Sequence, residues 1–518
     1  MRLRIAVATK VLAFKKGKIM YIGMNYLNGE WCPTRPDFTK YNPSTLETLG
    51  SFPLSNDGEV AEAVTAARRA QKKWQAIGRV QRAEYFDKLC QLIKRDHDKI
   101  VRVISEETGK NVNESHAEVI EALHMTQYTF GRARMPSGDV VASELPERDS
   151  YVIRKPKGVV AVISPWNFPF AIGGFWCAAP AILEGNTVVF KPSELTPMTG
   201  QLIAELYHEA GFPLGVFNLL HGDGVTGDAL VNADVNHICF TGSVQVGREI
   251  RKACANSRDK TCSCEMGSKS AVIVFDDCDI DLAVQAAVNS AFKLSGQRCV
   301  SAGRILVQRG VLENFKQEFI AAVSNVVIAD PFAPRETHRG LTIGPLISKE
   351  QKTRVRGYVS MLMSDSDVKV LYATGDKHQS PSFGVNSRGY YFGPVVYQCE
   401  WAYKPYLKEE IFGPVVGIIP FDTVEDAIRI YNDTEYGLAV GICTNDYRVM
   451  REMRDNCDAG MIYFNLGSIG AESHLPFSGV KMSGYGHGSA AATFDAVVHE
   501  VSVTYNHAAG VTFPQGLK

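Results

Sequence analysis

The side chain best suited to chemistry in this sequence is a cysteine in the stretch LSGQRCVSAG, residues 294–303. A cysteine that packs in a core usually has apolar neighbours, whereas small and polar residues surround Cys299. The stretch follows an apolar helical run, AVQAAVNSAFKL, and precedes a strand-like run, RILVQ. A thiol on a glycine-flanked loop is either a chance residue or a nucleophile, and a nucleophile needs partners elsewhere in the chain.

Candidate partners stand where short apolar strands end. The segments VVAVISPWN, NTVVFKP, GVFNLLHG and HICFTGS are apolar, and helical segments such as TGQLIAELYHEAG separate them. This alternation predicts a parallel, doubly wound α/β sheet, which binds ligands at the carboxyl ends of its strands. Four polar side chains lie at those ends: Asn167, Lys191, Glu194 and Ser243.

These side chains suit a nucleotide. Ser243 is a good N-cap for the helix that follows it, and the amides of a helix N-terminus attract phosphate. Lys191 can reach ribose hydroxyls or phosphate, and Glu194 can accept hydrogen bonds from a diol. Residues 222–227, GDGVTG, match the dinucleotide fingerprint, but the next strand, HICF, does not end in the acid that the fingerprint requires. A glycine-rich turn is the favoured interpretation there.

The composition excludes several classes of protein. The chain has 518 residues and a net charge of −1, which disfavours nucleic acid as a partner. No apolar run is long enough for a membrane span. The twelve cysteines show no disulfide framework, which fits a reducing, cytoplasmic location. Cys262 and Cys264 form a CxC without a second Cys/His pair nearby, so no metal site is predicted.

Seven motifs together carry a family resemblance. In chain order they are SPWNFP, EGNTVVFKPSE, FTGSVQVG, EMGSKS, SGQRC, EEIFGPVV and PFSGVKMSGYG. This series resembles the aldehyde dehydrogenase superfamily over roughly residues 24–507. The spacings also resemble that family: 34 positions separate Glu265 from Cys299, and 132 separate Asn167 from Cys299.

The resemblance implies an aldehyde dehydrogenase-like fold with two doubly wound parallel-sheet domains and a small β arm. Residues 24–136 and 156–266 would form the NAD-binding domain, and 267–480 the catalytic domain. Residues 137–155 and 490–507 would be oligomerisation strands that pair across subunits of a homodimer or homotetramer, and the sequence itself leaves a pairing within the same chain open. The strand of the tail is expected from Phe494 to Tyr505. Residues 1–23 form a basic extension, with an organelle signal over 1–20 and a misplaced start codon as alternatives.

The resemblance also implies a mechanism. Cys299 would attack an aldehyde, and the amide of Asn167 with the N–H of Cys299 would hold the thiohemiacetal oxygen. Hydride transfer to NAD would leave a thioester, and Glu265 would activate the water that cleaves it. NAD is expected over NADP because Glu194 would repel the 2′-phosphate, and NADP stays open. The cofactor-binding residues would be Trp166, Lys191, Glu194, Gly242, Ser243, Gly267, Glu410 and Phe412.

The substrate is predicted from GSIGAESHLPF, in which Ala471 stands where many family members have an aromatic wall. This segment resembles semialdehyde dehydrogenases of the aminoadipate semialdehyde and 2,5-dioxopentanoate type, so we expect an aliphatic aldehyde with a far carboxylate. Ser301, Ala471 and Ser473 are the candidate substrate residues. An inward-pointing Glu472 would instead favour a cationic aminoaldehyde. A broad-specificity, CoA-acylating or non-catalytic relative and a cysteine hydrolase stay open. Ser268, where the family often has a second glycine, is expected to matter little.

Overall fold

A computed structural model describes residues 12–15, 18–33, 35, 37–334, 340–377 and 382–511. The strands up to residue 266 are β1 (Leu12–Lys15), β2 (Lys18–Ile22), β3 (Asn25–Leu27), β4 (Glu30–Cys32), β5 (Phe38–Tyr41), β6 (Thr48–Phe52), β7 (Gly138–Val141), β8 (Arg148–Pro156), β9 (Val159–Ile163), β10 (Thr187–Lys191), β11 (Phe217–Leu219), β12 (His237–Thr241) and β13 (Thr261–Glu265). The helices of this part are α1 (Asp57–Ala76), α2 (Arg79–Arg95), α3 (His97–Thr108), α4 (Val112–Arg132), α5 (Ala178–Leu183), α6 (Pro197–Glu209), α7 (Gly224–Asn232) and α8 (Val244–Ala255).

The second half has the same alternation of strands and helices. Its strands are β14 (Ala271–Val274), β15 (Arg304–Gln308), β16 (Val327–Ala329), β17 (Thr342–Ile343), β18 (Lys369–Ala373), β19 (Ser382–Phe383), β20 (Val395–Gln398), β21 (Val415–Phe421), β22 (Tyr436–Gly437), β23 (Ala439–Cys443), β24 (Met461–Phe464), β25 (Pro476–Phe477), β26 (Val480–Lys481), β27 (Gly484–Tyr485), β28 (Ser489–Ala490) and β29 (Val498–Asn506). Its helices are α9 (Ile280–Phe292), α10 (Leu312–Ser324), α11 (Lys349–Met363), α12 (Pro405–Lys408), α13 (Val424–Asn432), α14 (Tyr447–Asn456) and α15 (Thr493–Ala496).

Two sheets dominate the architecture. The first has the strand order β27-β13-β12-β9-β10-β11-β3-β4, and its five central strands, β13 to β11, are parallel. The second has the order β18-β20-β21-β15-β14-β23-β24, with β18 as its antiparallel edge. The central strands β9, β10 and β14 are buried along their whole length, as expected where helices cover both faces of a parallel sheet. The predicted α/β fold with two doubly wound sheets is confirmed.

A third sheet corrects two expectations about the tail. Thr493–Ala496 form the short helix α15, in which Phe494 packs in the core. The strand of the tail therefore begins at Val498 and not at Phe494. This strand, β29, pairs antiparallel with β8 of the same chain, from Val498 against Pro156 to Asn506 against Arg148. β7 pairs with the other edge of β8. The two segments therefore pair with each other within one chain and not with each other across subunits. Their role as oligomerisation strands stays a prediction.

The helices that precede the first sheet are only partly as the sequence indicates. Apolar spacing from Val60 to Trp74 predicts α1, and a capping box at its start, between Asn56 and Glu59, satisfies the first backbone N–H groups. The sequence pattern also predicts helices over 96–108 and 118–134, and these correspond to α3 and α4, although α4 starts earlier, at Val112. The helix α2 has no counterpart among the predictions.

The basic extension predicted over residues 1–23 lies partly outside the described residues. Within the described part, β1 and β2 form an antiparallel pair, and β2 runs parallel to β6. The nature of residues 1–20 stays a prediction. In the part of the chain that the structure describes, no helix has both the length and the apolar character needed to cross a membrane.

Candidate active site

A large cleft of about 1010 Å³ opens at the carboxyl ends of the strands of the first sheet and brings most of the predicted residues together. Ten of the fourteen candidate residues line it: Trp166, Asn167, Lys191, Glu194, Gly242, Ser243, Gly267, Cys299, Glu410 and Phe412. The other four, Glu265, Ser301, Ala471 and Ser473, are not part of its wall.

The backbone that carries the nucleophile is tightly bent. A 3₁₀ turn, Lys293–Gly296, follows α9, and Leu294 and Ser295 have left-handed φ angles of 55° and 54°. Gly296 has a φ of +71°, and a Cβ at this position would lie 2.2 Å from the carbonyl oxygen of Gly413. Only glycine fits there. Non-glycine residues in this conformation cost free energy and cluster at functional sites, so the surrounding packing must hold the loop.

Asn167 supports this loop from the end of β9. Its Nδ2 donates a hydrogen bond of 3.1 Å to the carbonyl oxygen of Gln297, two residues before the nucleophile. A primary amide has two N–H donors. Because Asn167 also lines the cleft, its second N–H is available to an oxygen bound beside Cys299.

The thiol of Cys299 lies in an environment that favours its neutral form. Burial, followed by the negative charges of Glu410 and Glu265, raises its pKa to about 12, even though the backbone N–H groups of Val300 and Cys299 lower it. The thiolate is the nucleophile in cysteine chemistry. Groups that stabilise the anion at this position therefore control the reactivity of the site.

Glu265 is the last residue of β13 and is only 3% exposed. Neither carboxylate oxygen has a hydrogen-bond partner among the described residues. Burial raises the pKa of this carboxyl well above its usual value; the nearby N–H of Gly479 offsets part of the rise, although it does not meet hydrogen-bond geometry. An unsatisfied buried carboxyl is costly, and it is suited to take up a proton from a water molecule that reaches it.

The phosphate end of the cleft is formed by the start of α8. Ser243 caps this helix and accepts a hydrogen bond of 3.3 Å from the N–H of Val246. The first N–H groups of a helix have no partner within it, and they attract phosphate. Val244, Gln245 and Val246 all line the cleft, so the backbone N–H groups of this turn are placed for a pyrophosphate.

Lys191 and Glu194 lie beside this turn, after β10. The Nζ of buried Lys191 donates to the carbonyl oxygens of Pro192 at 2.8 Å and Gly222 at 2.9 Å, which leaves one of its three donors for a ligand. Burial lowers the pKa of this ammonium group. Glu194 is exposed at the rim of the cleft. The pair offers a donor and an acceptor to a ribose.

Glu410 and Phe412 form the opposite end. Glu410 Oε1 accepts a hydrogen bond of 2.8 Å from the N–H of Ser268, and burial raises the pKa of this carboxyl to about 7. A Cβ on Gly267 would lie 2.5 Å from Glu410 Oε2, so glycine is needed for this approach. The ring of Phe412 meets Trp166 edge-on, with ring centroids 5.4 Å apart.

The comparisons with known proteins agree with this geometry. The model of the aldehyde dehydrogenase family matches residues 31–503. The chain belongs to the aldehyde dehydrogenase family. It is 35% identical over 465 residues to the alpha-ketoglutaric semialdehyde dehydrogenase of Bacillus subtilis, covering 89% of this chain and 93% of that relative.

Solved structures of aldehyde dehydrogenases show the same fold. A putative aldehyde dehydrogenase from Burkholderia cenocepacia superposes with a TM-score of 0.88 at 32% identity, covering 95% of this chain and 98% of that one. The betaine aldehyde dehydrogenase of Staphylococcus aureus in complex with NAD+ superposes with a TM-score of 0.87 at 28% identity, covering 94% and 96%. The expectations of an aldehyde-oxidising enzyme and, at the level of the family, of NAD as cofactor are confirmed. Among the described residues, no group of three His, Cys, Asp or Glu side chains is placed to hold a metal.

The predicted substrate residues of this aldehyde dehydrogenase lie away from the cofactor cleft. The hydroxyl of Ser301 accepts from the N–H of Arg298 at 3.3 Å, and Ala471 packs at the margin of the first core. Ser473 donates to the carbonyl oxygen of Glu121 at 3.2 Å. A hydroxyl has only one hydrogen to donate, so the Ser473 donor is already used within the protein.

Sequence reasoning missed two residues that position Glu410 and Phe412. Gln351 and Arg354 lie one turn apart on α11 and line the cleft. Gln351 Nε2 donates to the carbonyl oxygen of Phe412 at 2.7 Å, and Arg354 donates to that of Glu410 at 2.7 Å. Neither lies in a recognisable motif. The start of an ordinary amphipathic helix carries no local signal of such a role.

It also missed the charged groups around the nucleophile loop. Arg298, adjacent to Cys299, lies 3.5 Å from Glu114 and has its guanidinium 5.2 Å from the centroid of the Phe168 ring. Its Nε has no hydrogen-bond partner among the described residues, and neither has Glu114 Oε2. A second cavity, of about 660 Å³, is lined by Arg298, Glu114 and Lys293 among others. The motif SGQRC contains this arginine. Its position next to the nucleophile was the one feature of the sequence that could have indicated a role for Arg298.

Proposed function

We propose that this aldehyde dehydrogenase oxidises an aliphatic semialdehyde with a far carboxylate to the carboxylic acid, with NAD as hydride acceptor. The observation that carries the proposal is Arg298, a partly buried cation next to Cys299 whose Nε has no partner among the described residues. One relative of the chain is named alpha-ketoglutaric semialdehyde dehydrogenase, and that name describes the oxidation of a semialdehyde with a carboxylate.

The cleft fits a nicotinamide dinucleotide. Its volume, the free donors at the start of α8, and the donor and acceptor pair of Lys191 and Glu194 suit the pyrophosphate and a ribose. At the other end, the room left by Gly267 lets Glu410 face the second ribose. A bound NAD supplies a hydride acceptor for the substrate carbon held on Cys299.

The chain's own residues perform the other parts of the reaction. The Cys299 thiolate attacks the aldehyde carbon, and the second N–H of Asn167 with the N–H of Cys299 hold the resulting oxyanion. After oxidation, the acyl group is bound to Cys299 as a thioester. The unpaired carboxyl of Glu265, with its raised pKa, then takes a proton from water, which cleaves the thioester.

The charges near the nucleophile favour an anionic over a cationic substrate. Arg298 is held by a long contact to Glu114 and stacks near an aromatic ring, so it can pair with a carboxylate. Burial raises the pKa of Glu121 to about 8, so this group is largely neutral at pH 7. Glu472, the acid that would favour an aminoaldehyde, is exposed and lies 3.2 Å from His474. Ser468 and Ser473 donate to backbone carbonyls, and the carboxylate therefore depends on Arg298.

The proposal is tested by comparing a ω-carboxy aldehyde with an uncharged aldehyde of equal length and with benzaldehyde. We expect kcat/KM to favour the carboxylate in the wild type, and Arg298→Gln to reduce that preference about 10- to 100-fold, as for a lost charged hydrogen bond. Arg451→Gln, an exposed position on α14, is the control. Equal kcat/KM for the charged and uncharged aldehydes would instead support broad specificity. Acyl transfer only in the presence of CoA would support the CoA-acylating alternative.

We also propose that the enzyme is a homo-oligomer. The sheet formed by β29, β8 and β7 projects apolar side chains into solvent, including Val140 at 84% exposure and Tyr505 at 57%. An exposed apolar sheet with open edges suits contact with another subunit. Light scattering is expected to give a multiple of 56.9 kDa, and the mass of a single chain would contradict the proposal.

A further inference from the structure

In the motif EMGSKS, Ser268 stands where the family often has a second glycine. Its side chain is 3% exposed, and its hydroxyl donates to the carbonyl oxygen of Cys299. The hydroxyl oxygen of Ser268 also accepts from the N–H of Ser270 at 3.3 Å and contacts the Ser270 hydroxyl at 2.9 Å. A carbonyl can only accept, so the single hydrogen of Ser268 goes to Cys299. The hydroxyl of Ser270 must therefore be the donor in the contact between the two serines.

The carbonyl that Ser268 holds belongs to the peptide unit whose other end faces the thiol. The C=O of Cys299 and the N–H of Val300 lie in one plane because the peptide bond is rigid. That N–H of Val300 interacts with the Cys299 thiol and lowers its pKa. A hydrogen bond to the carbonyl fixes the plane and polarises the N–H at its other end. The hydroxyl of Ser268 thus acts on the sulfur through one peptide unit.

Ser268 also connects the nucleophile to the cofactor cleft through its backbone. Its N–H donates to Glu410 Oε1 at 2.8 Å. A glycine at this position would keep the bond to Glu410 and lose the one to Cys299. The two functions of the residue can therefore be separated by substitution.

We propose that Ser268 is a positioning residue, which holds the peptide between Cys299 and Val300 so that its N–H faces the sulfur and stabilises the reactive thiolate. The inference rests on the proposed role of Cys299 as nucleophile. It runs against the expectation that a serine in place of the second glycine matters little, and the experiment below decides between the two.

The test measures the reactivity of the thiol itself. The wild type, Ser268→Gly and Ser268→Ala are treated with iodoacetamide without cofactor at several pH values between about 7 and 9.5, below the raised pKa of Cys299. Labelling of the Cys299 peptide is quantified by mass spectrometry. We expect both variants to label about 3- to 10-fold more slowly at each pH, the loss that one neutral hydrogen bond implies. The Ser268→Thr variant keeps the hydroxyl and should label within about twofold of wild type.

Two controls separate this effect from a change in packing or charge. Ser324→Gly removes a hydroxyl that donates to the carbonyl of Ala321 on the surface, and it should leave the labelling unchanged. Glu410 raises the pKa of the Cys299 thiol and accepts a hydrogen bond from the N–H of Ser268. A substitution that displaced Glu410 would therefore change the labelling rate indirectly, and the KM for NAD is measured in each variant to detect such a displacement. We expect kcat to fall with the labelling rate and the KM for NAD to stay constant, because the bond to Glu410 is kept.

The outcome distinguishes this inference from the proposed function. Wild-type labelling rates in both Ser268→Gly and Ser268→Ala would overturn the positioning role while Cys299 remains essential. Aldehyde oxidation that survives in Cys299→Ala would instead overturn the nucleophile on which the inference rests.

Discussion

The cofactor side and the substrate side of Cys299 are built differently. On the cofactor side, charged groups are held by the backbone: Lys191 donates to two carbonyl oxygens, and Glu410 accepts from a backbone N–H. On the proposed substrate side, Arg298 faces the carboxylate of Glu114. Behind the ring of Phe168, which both cations contact, Lys110 forms a buried ion pair with Glu118.

This difference bears on specificity. Backbone N–H and C=O groups are the same in every residue type. A site whose charged groups are held by the backbone can therefore keep binding the same cofactor while the surrounding side chains change. Side chains that pair with other side chains can be exchanged in combination, and the charge they present to a substrate changes with them. Relatives named betaine aldehyde dehydrogenase and semialdehyde dehydrogenase share this fold. We expect their substrate specificities to differ through side chains on the substrate side.

The largest expected effect removes the atom that both sides share. Cys299→Ala should lower aldehyde oxidation at least about 10⁴-fold, because no covalent intermediate can form. Binding of NADH, followed by fluorescence titration, should persist because the cofactor side is intact. Cys278→Ala, a half-buried cysteine outside the cleft, is the control and should retain activity.

The next effect concerns water activation. Glu265→Gln should reduce the steady-state rate about 10²- to 10⁴-fold and leave a burst of NADH of one equivalent per site. The wild-type rate should rise with pH, because the pKa of Glu265 is raised and its basic form grows as pH increases. The variant should lose this rise. Stopped-flow absorbance at several pH values measures both, and an unchanged steady-state rate would contradict the assignment of Glu265 as the base.

Asn167 tests the oxyanion site between the two sides. Asn167→Ala should lower kcat about 10²- to 10³-fold, as for other lost oxyanion donors, with little change in the KM for NAD. Asn167→Asp keeps the shape of the side chain but lacks the N–H donors, and it should be no more active than Asn167→Ala. Single-turnover rates measure the acylation step, and a loss confined to deacylation would argue against this role.

A smaller effect is expected at the ribose. Glu194→Gln removes a negative charge that would face a 2′-phosphate; two charges about 4 Å apart repel by up to about 4 kcal/mol at an effective dielectric of 20. Because Glu194 is exposed, we expect a shift towards NADP of only about 10-fold in kcat/KM. Glu249→Gln, at another acidic position of the cleft wall, provides a comparison. The same NAD preference in wild type and Glu194→Gln would exclude charge repulsion as its cause.

The smallest effect reverses the usual direction of a site mutation. Glu410 raises the pKa of the Cys299 thiol, so Glu410→Gln should speed iodoacetamide labelling about 3- to 10-fold at pH 8. The pKa of Glu410 is about 7; at pH 6 this group is largely neutral in the wild type, and the difference should disappear. The KM for NAD should rise at both pH values. Slower labelling at pH 8 would show that Glu410 supports the thiolate.

The local pattern of the sequence determined the strand–helix alternation and five of the ten cleft residues, Asn167, Lys191, Glu194, Ser243 and Cys299, while the family resemblance supplied the other five. Apolar strands of five residues, such as β9 and β10, end in Asn167 and Lys191 within a few positions, and the ends of parallel strands meet at one edge whatever else the chain does. The helix α2 was missed although its buried apolar residues, Ala83, Phe86, Leu89, Cys90 and Ile93, have helical spacing, so the local signal for it was present in the sequence.

Only the tertiary structure decided contacts between distant segments. The pairing of β29 with β8 joins residues about 350 positions apart, and its strands carry no mark of whether the partner is in the same chain. Arg354 and Gln351 reach the cleft from α11, and the hydroxyl of Ser268 reaches Cys299 across 31 positions. A hydrogen bond depends on where the fold places two groups in space, and residue type or spacing does not report that position.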